Sequence, residues 1–183
     1  MSGTALADWP AGLMPADAAP LLTIWGSVHR LERRLYATPP APPDNLVSSV
    51  RAVVFHGRSV MVIRDHDGSS HIMPGGRREA GETQQDALVR EIGEETGWRF
   101  ETAKLFGFLH FRHLTPKPDG YAYPYPNFFQ TLHVAEAVDY DRRRVVRDDW
   151  ETHSRMMPIA RALQVITDDQ KPILRLAVAA REP

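Results

Sequence analysis

Residues Gly76 to Trp98 read GRREAGETQQDALVREIGEETGW, a glycine-rich loop feeding an acidic helix, and the rest of the chain is arranged around them. Thr83, followed three residues later by Asp86, supplies a capping-box start just ahead of Ala87 and Leu88. Gly97 ends the helix, because glycine takes the left-handed C′ conformation without steric penalty. Between these limits Glu91, Glu94 and Glu95 fall at i, i+3 and i+4, which puts three carboxylates on one side. Leu88, Val89 and Ile92 form an adjoining stripe suited to a sheet.

Such an arrangement opposes helix stability. Like charges at these spacings cost roughly 0.2–0.5 kcal/mol a pair, and anions in the last turn oppose the macrodipole by about 0.3–1 kcal/mol each. A bound cation would remove both penalties. Carboxylates beside an oxygen-rich glycine loop are hard ligands, which points to Mg2+ or Mn2+ rather than zinc. The plainer alternative for an isolated EIGEE string is a solvated acidic face.

The longer spacing narrows the choice. Gly76, Glu82, Arg90-Glu91-Ile92, Glu94-Glu95, Gly97 and Trp98 resemble the signature of the Nudix hydrolases, G-x5-E-x7-R-E-U-x-E-E-x-G-U with U a bulky apolar residue. Ordinary residue usage puts a chance match of this length below about one in a million. Only the last position departs, with Trp98 where Ile, Leu or Val is usual. The resemblance implies an α+β fold, the Nudix α/β/α sandwich. It also implies hydrolysis of a diphosphate bond in a nucleotide or nucleoside diphosphate derivative, by metal-assisted attack of water at phosphorus. Residue by residue, Glu91, Glu94 and Glu95 correspond to the metal-binding glutamates, Gly75 to a main-chain ligand, Arg90 to the residue that orients the carboxylates, and Glu82 to a loop-holding or outer metal residue. A catalytically silent nucleotide-sensing module is the alternative, although such modules usually lose signature carboxylates and here all are present.

Composition bounds the rest. A chain of 183 residues with 43% hydrophobic and 25% charged residues has globular proportions. Its net charge of -1 gives no polyanion-binding surface, so the expected partner is a small phosphorylated molecule, not bulk nucleic acid. Without cysteine there are no disulfides, thiolate metal sites or thiol nucleophiles. No apolar run reaches the roughly 18–20 residues that span a bilayer, and Asp8, Pro10, Pro15 and Asp17 break up the N-terminal region. These features lead to an expectation of a cytoplasmic enzyme without membrane attachment.

Two segments are expected. Residues 1–44 read as an N-terminal extension, in which Leu21, Ile24, Trp25, Val28, Leu31 and Leu35 recur at helical spacing over Leu21 to Tyr36. That amphipathic helix would pack on the main domain or pair two copies into a homodimer, and the proline-rich TPPAPPD, Thr38 to Asp44, would close the extension. Residues 45–183 read as the hydrolase domain: a strand over Leu46 to His56, a second over Ser59 to Asp65, a short one through His71 to Met73, then loop and helix, then strands over Lys104 to Leu114 and Asn127 to Val138. Ser154 to Met157 reads as a last strand, followed by helices starting near Pro158 and Asp168.

Substrate contacts are sought outside the signature. Arg51, Arg64, Arg77 and Arg78 are candidates for phosphate, with Arg51 favoured because it interrupts an apolar strand. His110 and Arg112 alternate onto one strand face with Phe106 and Phe108. Tyr121, Tyr123 and Tyr125 offer rings for stacking, or else pack on one another. Glu136, Asp148, Asp149 and Glu151 are candidates for a further carboxylate.

Overall fold

The computed structural model describes residues 9–25, 29–37, 40–146 and 151–181, with backbone alone for Trp25, Glu151 and Thr152. Eight strands and three α-helices occur among them: β1 Leu21–Trp25, β2 His29–Ala37, β3 Val47–His56, β4 Ser59–Asp65, β5 Ser70–His71, α1 Gln84–Thr96, β6 Trp98–His113, β7 Asn127–Tyr140, β8 Glu151–Pro158, α2 Ile159–Val165 and α3 Lys171–Arg181. The chain divides into two compact units, Met1–Ser49 with Gly107–Thr131, and Val50–Phe106 with Leu132–Pro183.

In the second unit β4 is the hub. It pairs antiparallel with β3 through Phe55 opposite Val60, with β5 through Ile63 opposite His71, and with β8 along Ser59 to Asp65. Val60 to Ile63 are all buried, and their continuous apolar run is what a strand covered on both faces requires. Helix α1 begins and ends where local chemistry directs. Thr83 accepts from the Asp86 amide while the Asp86 carboxylate accepts from the Thr83 amide, and Gly97 caps the end with φ 74°. Ala87, Leu88 and Ile92 are fully buried, giving the helix one apolar side to seat on the domain.

In the first unit β1 pairs antiparallel with β2, and β2 with the 107–113 stretch of β6. This corrects the expected N-terminal helix: Leu21–Trp25 and His29–Ala37 are strands, with 26–28 outside the described residues. The misreading has a definite cause. Leu31 and Leu35, both buried, stand four residues apart, a spacing that satisfies the helical period and is also a multiple of the strand period. Pairing with β6 from Leu31 opposite His113 to Ala37 opposite Gly107 selects the strand, as tertiary context overrides weak local preference. A small aromatic core of Tyr36, Phe108 and Phe129 receives Trp9, Leu13 and Leu46. No helix of the described residues is long and apolar enough to cross a membrane.

Candidate functional site

The Pro74-Gly75-Gly76 loop lies between β3 and α1 in the second unit. On one side it continues strand pairing: the Val50 amide donates to the Gly76 carbonyl (2.9 Å) and the Ala52 amide to the Pro74 carbonyl (3.0 Å). Gly75 adopts φ 129°, and a Cβ there would run into the Val50 carbonyl. On the other side α1 turns its acids onto the loop. The Gly75 amide donates to Glu95 Oε2 at 2.8 Å. The Glu91 carboxylate rests so close over Gly76 that a Cβ would occupy its place. Glycine is therefore required at both positions for different reasons: one needs the backbone conformation, the other the space.

Arg90 ties the remaining acids together. Its Nε and Nη2 donate to the two Glu82 oxygens (2.7 and 2.9 Å), its Nη1 to Glu91 (2.9 Å) and Glu94 (3.4 Å), and its Nη2 also to the Arg77 carbonyl (3.0 Å). The guanidinium holds the Glu82 carboxyl down to about 2, helped by the Glu79 amide, so Glu82 is a fixed anion. The same bonds raise the Arg90 pKa further above its usual value. Glu82 thus clamps loop to helix through Arg90. Among the described residues no three acidic or histidine side chains already converge as a metal-ligand cluster. The donor set is nonetheless all oxygen, two carboxylates against a glycine backbone with Glu94 beside them, and this chemistry fits a hard divalent cation.

The other sequence candidates are placed as follows. Arg51 Nη1 donates to the Met73 carbonyl at 3.2 Å, which puts Arg51 at the root of the glycine loop. Arg77 is exposed and meets the cluster through its carbonyl. Arg64 is exposed on β4, toward the turn that holds Gly68. Tyr123 and Tyr125 belong to the first unit. There Tyr125 donates to the Thr115 carbonyl (2.9 Å), Tyr121 Oη lies 3.1 Å from His113 Nε2, and the Tyr121 and Tyr123 rings meet edge to face. The tyrosine-proline loop packs on itself and on His113. Glu136 is engaged by the Gly57 amide (2.7 Å) and Arg181 (2.9 Å). Asp148, Asp149 and the Glu151 side chain lie outside the described residues.

Two neighbours escaped the sequence reading. His133 on β7 is buried, its Nδ1 3.3 Å from the Arg51 carbonyl, and burial lowers its pKa. Nothing in an apolar strand marks such a histidine in advance. The segment that carries Arg142, Arg143 and Arg144 returns to the C-terminal half of α1. The Val146 amide donates to the Glu94 carbonyl (2.8 Å), and Arg144 Nη1 lies 3.8 Å from where a Gly93 Cβ would be. Positive charge here offsets the electrostatic penalty that the acids impose on the helix end. Trp98, the departure from the signature, packs against His56 and Tyr140 with centroids 5.1 and 5.4 Å apart.

A capped acidic helix whose carboxylates fold onto a glycine loop defines the class that the signature resembles. A family model described as NUDIX domain matches residues 45–177, and the chain belongs to the Nudix family. A MutT-like protein from Streptomyces ambofaciens is 37% identical over 67 residues, 37% of this chain and 44% of that relative, so the match spans less than half of the relative's length. The fold is that of solved Nudix structures. The Bacillus subtilis pyrophosphohydrolase BsRppH matches with a TM-score of 0.59 at 15% identity, over 82% of this chain and 93% of that one. A NUDIX hydrolase from Nitrosomonas europaea matches with a TM-score of 0.55 at 22% identity, over 74% and 90%.

Proposed function

We propose that the protein is a Mg2+- or Mn2+-dependent pyrophosphohydrolase, cleaving a diphosphate bond in a small nucleotide or nucleoside diphosphate derivative. The observation that carries this reading is the turning of Glu91 and Glu95 onto the Gly75–Gly76 backbone, with Glu94 alongside. Residues 45–183 are read as the domain that performs the reaction. Glu91, Glu94, Glu95 and the Gly75 carbonyl would hold the cation, which when bound neutralises diphosphate charge and lowers the pKa of a water.

The chain's own residues supply positioning, the larger part of the task in phosphoryl chemistry. Arg90 orients Glu91 and Glu94, while Glu82 orients Arg90. Water attacks phosphorus, the bond from phosphorus to the bridging oxygen breaks, and two phosphorylated products leave. The proton of the attacking water passes to a carboxylate of this face. Glu91 is held by Arg90 and Glu95 by the Gly75 amide, whereas Glu94 is 41% exposed and makes a longer 3.4 Å contact, so one of its two oxygens can take the proton while the other faces the cation. Arg51 and Arg77, which flank the loop, are the residues we assign to substrate phosphate.

The test is a panel of nucleotides, nucleotide sugars, dinucleoside polyphosphates and oxidised nucleotides, incubated with Mg2+ and then with excess chelator. Release of a phosphorylated product from at least one compound, abolished by chelator, is expected. Inactivity across the panel with tight nucleotide binding retained would refute the hydrolase and leave a nucleotide sensor.

A further inference from the structure

The first unit contains a cleft built partly by residues that precede the family match. Its volume is about 330 Å³, and the Pro10–Leu13 turn, Glu32, Arg34, Tyr36, His110 and Arg112 line it. That size lies at the lower end of small-molecule sites. The strand register explains why these side chains meet. Tyr36 stands opposite Phe108, Arg34 opposite His110 and Glu32 opposite Arg112, so all six emerge on one face of the β2–β6 pair.

The floor is aromatic and braced by neighbouring rings. Tyr36 stacks on Phe108 (4.9 Å, 13°) and His110 on Phe129 (4.9 Å, 18°), while Trp9 leans on both phenylalanines and anchors the turn that forms the wall. His110 Nε2 lies 2.9 Å from Asn127 Oδ1. With the amide oxygen accepting, Nε2 carries the proton and Nδ1 remains as an acceptor. Burial pushes the His110 pKa down, so the ring is neutral near pH 7.

Two guanidiniums supply positive charge. Arg34 is fixed by Asp17, through Nε to Oδ1 at 2.9 Å and Nη2 to the carbonyl at 3.3 Å. Arg112 is half exposed, with a 3.3 Å contact to Glu32 that leaves most of its fork available. The register makes Arg34 and Arg112 diagonal neighbours, about 7–8 Å apart in a typical sheet. Asp17 and Glu32 offset the two charges, and one anion can be bracketed between the guanidiniums on the donors that these contacts leave over, with Glu32 turned aside.

We propose that this cleft binds a nucleoside monophosphate group, phosphate between Arg34 and Arg112 and base against Tyr36 and His110. Arginine forks match phosphate geometry, and a flat ring with donors on its edge suits an aromatic floor carrying one acceptor. The choice of a nucleotide over other flat anions rests on the hydrolase reading above. The site itself does not, because its residues are distinct from the carboxylate cluster.

Calorimetric titration of the chelator-treated full chain with AMP, GMP, CMP and UMP tests this, with ribose 5-phosphate and inorganic phosphate as partial ligands. Saturable binding of at least one monophosphate is expected, weaker for the partial ligands. Loss of one good charge-assisted contact should weaken it by about tenfold in Arg112→Ala, with a comparable loss in His110→Ala and none in Glu95→Gln. Arg112 is exposed, so its variant stays folded if the more buried His110 variant does not. Absence of saturable binding, binding unchanged in Arg112→Ala, or loss of binding in Glu95→Gln would each overturn the proposal. Turnover that persists with no monophosphate binding would sink the cleft and leave the hydrolase standing. Monophosphate binding lost in Arg112→Ala, in a protein that hydrolyses nothing, would do the reverse.

Discussion

Replacing Gly76 by alanine separates the chemistry of the loop from its stability. The added Cβ would fall on the Glu91 carboxylate, the far end of a flexible side chain, whose three terminal atoms are its nearest neighbours. Glu91 can swing away, giving up its 2.9 Å contact with Arg90. The pair is largely shielded from water, with side chains 24% and 17% exposed, but Arg90 keeps Glu82 and the displaced carboxylate regains water. The loss is therefore about 1.5 kcal/mol, the lower end for a charge-assisted hydrogen bond, and the melting temperature should fall by roughly 3–6 °C for a chain of this size. Activity should suffer far more. A carboxylate displaced by about 1 Å or more from a phosphoryl-transfer site costs on the order of 100-fold in rate. Gly75→Ala provides the contrast: its Cβ would strike the Val50 carbonyl and lie 3.0 Å from the Arg51 Cα at φ 129°, so the backbone itself must move and stability should drop by several kcal/mol. The assay is turnover of the panel's best substrate alongside thermal melting of both variants. Full activity in Gly76→Ala, or a stability loss equal to that of Gly75→Ala, would refute the placement of Glu91 over the loop.

Further expectations concern the helix ends and the clamp. Gly97→Ala puts an alanine at φ 74° with its Cβ 2.9 Å from Tyr140 and 3.0 Å from Val145. Left-handed strain of roughly 1–2 kcal/mol and overpacking of about 1–3 kcal/mol should together lower the melting temperature by about 5–15 °C. Thr83→Ala removes the cap and should cost about 1 kcal/mol in denaturant unfolding. Glu82 is depressed from 4.5 to about 2 by Arg90. Its contribution is present above pH 4.5 and disappears as pH falls through about 2, so the stability gap between wild type and Glu82→Gln should narrow over that window. A gap independent of pH would contradict the clamp.

The two ends of α1 were legible because they are local: a Thr-x-x-Asp box and a C′ glycine specify their own hydrogen bonds over a few residues. The same holds for β4, whose apolar run and flanking turns leave little choice. The β1–β2 hairpin was not legible, since residues four apart serve both periods and the deciding partner, β6, lies some 80 residues onward. At the site, the signature located the acids and their arginine. It did not indicate that the Gly75 amide, rather than water, occupies one oxygen of Glu95, nor that His133 lies beneath Arg51. Both contacts join segments distant in sequence, and neither leaves a periodic trace. The tyrosine loop was open to two readings, rings for stacking on a ligand or rings packed on one another, and in the fold Tyr121 and Tyr125 meet His113 while Tyr121 meets Tyr123.

The central claim is that the α1 carboxylates hold a divalent cation that hydrolysis requires. Glu95→Gln tests it most directly, because a glutamine oxygen can still accept from the Gly75 amide and preserve the loop. Mn2+ binding followed by electron paramagnetic resonance, paired with turnover, should show metal affinity reduced by at least about tenfold and hydrolysis reduced by about 100-fold or more, with melting unchanged. Wild-type Mn2+ affinity and full turnover in this variant would contradict the account.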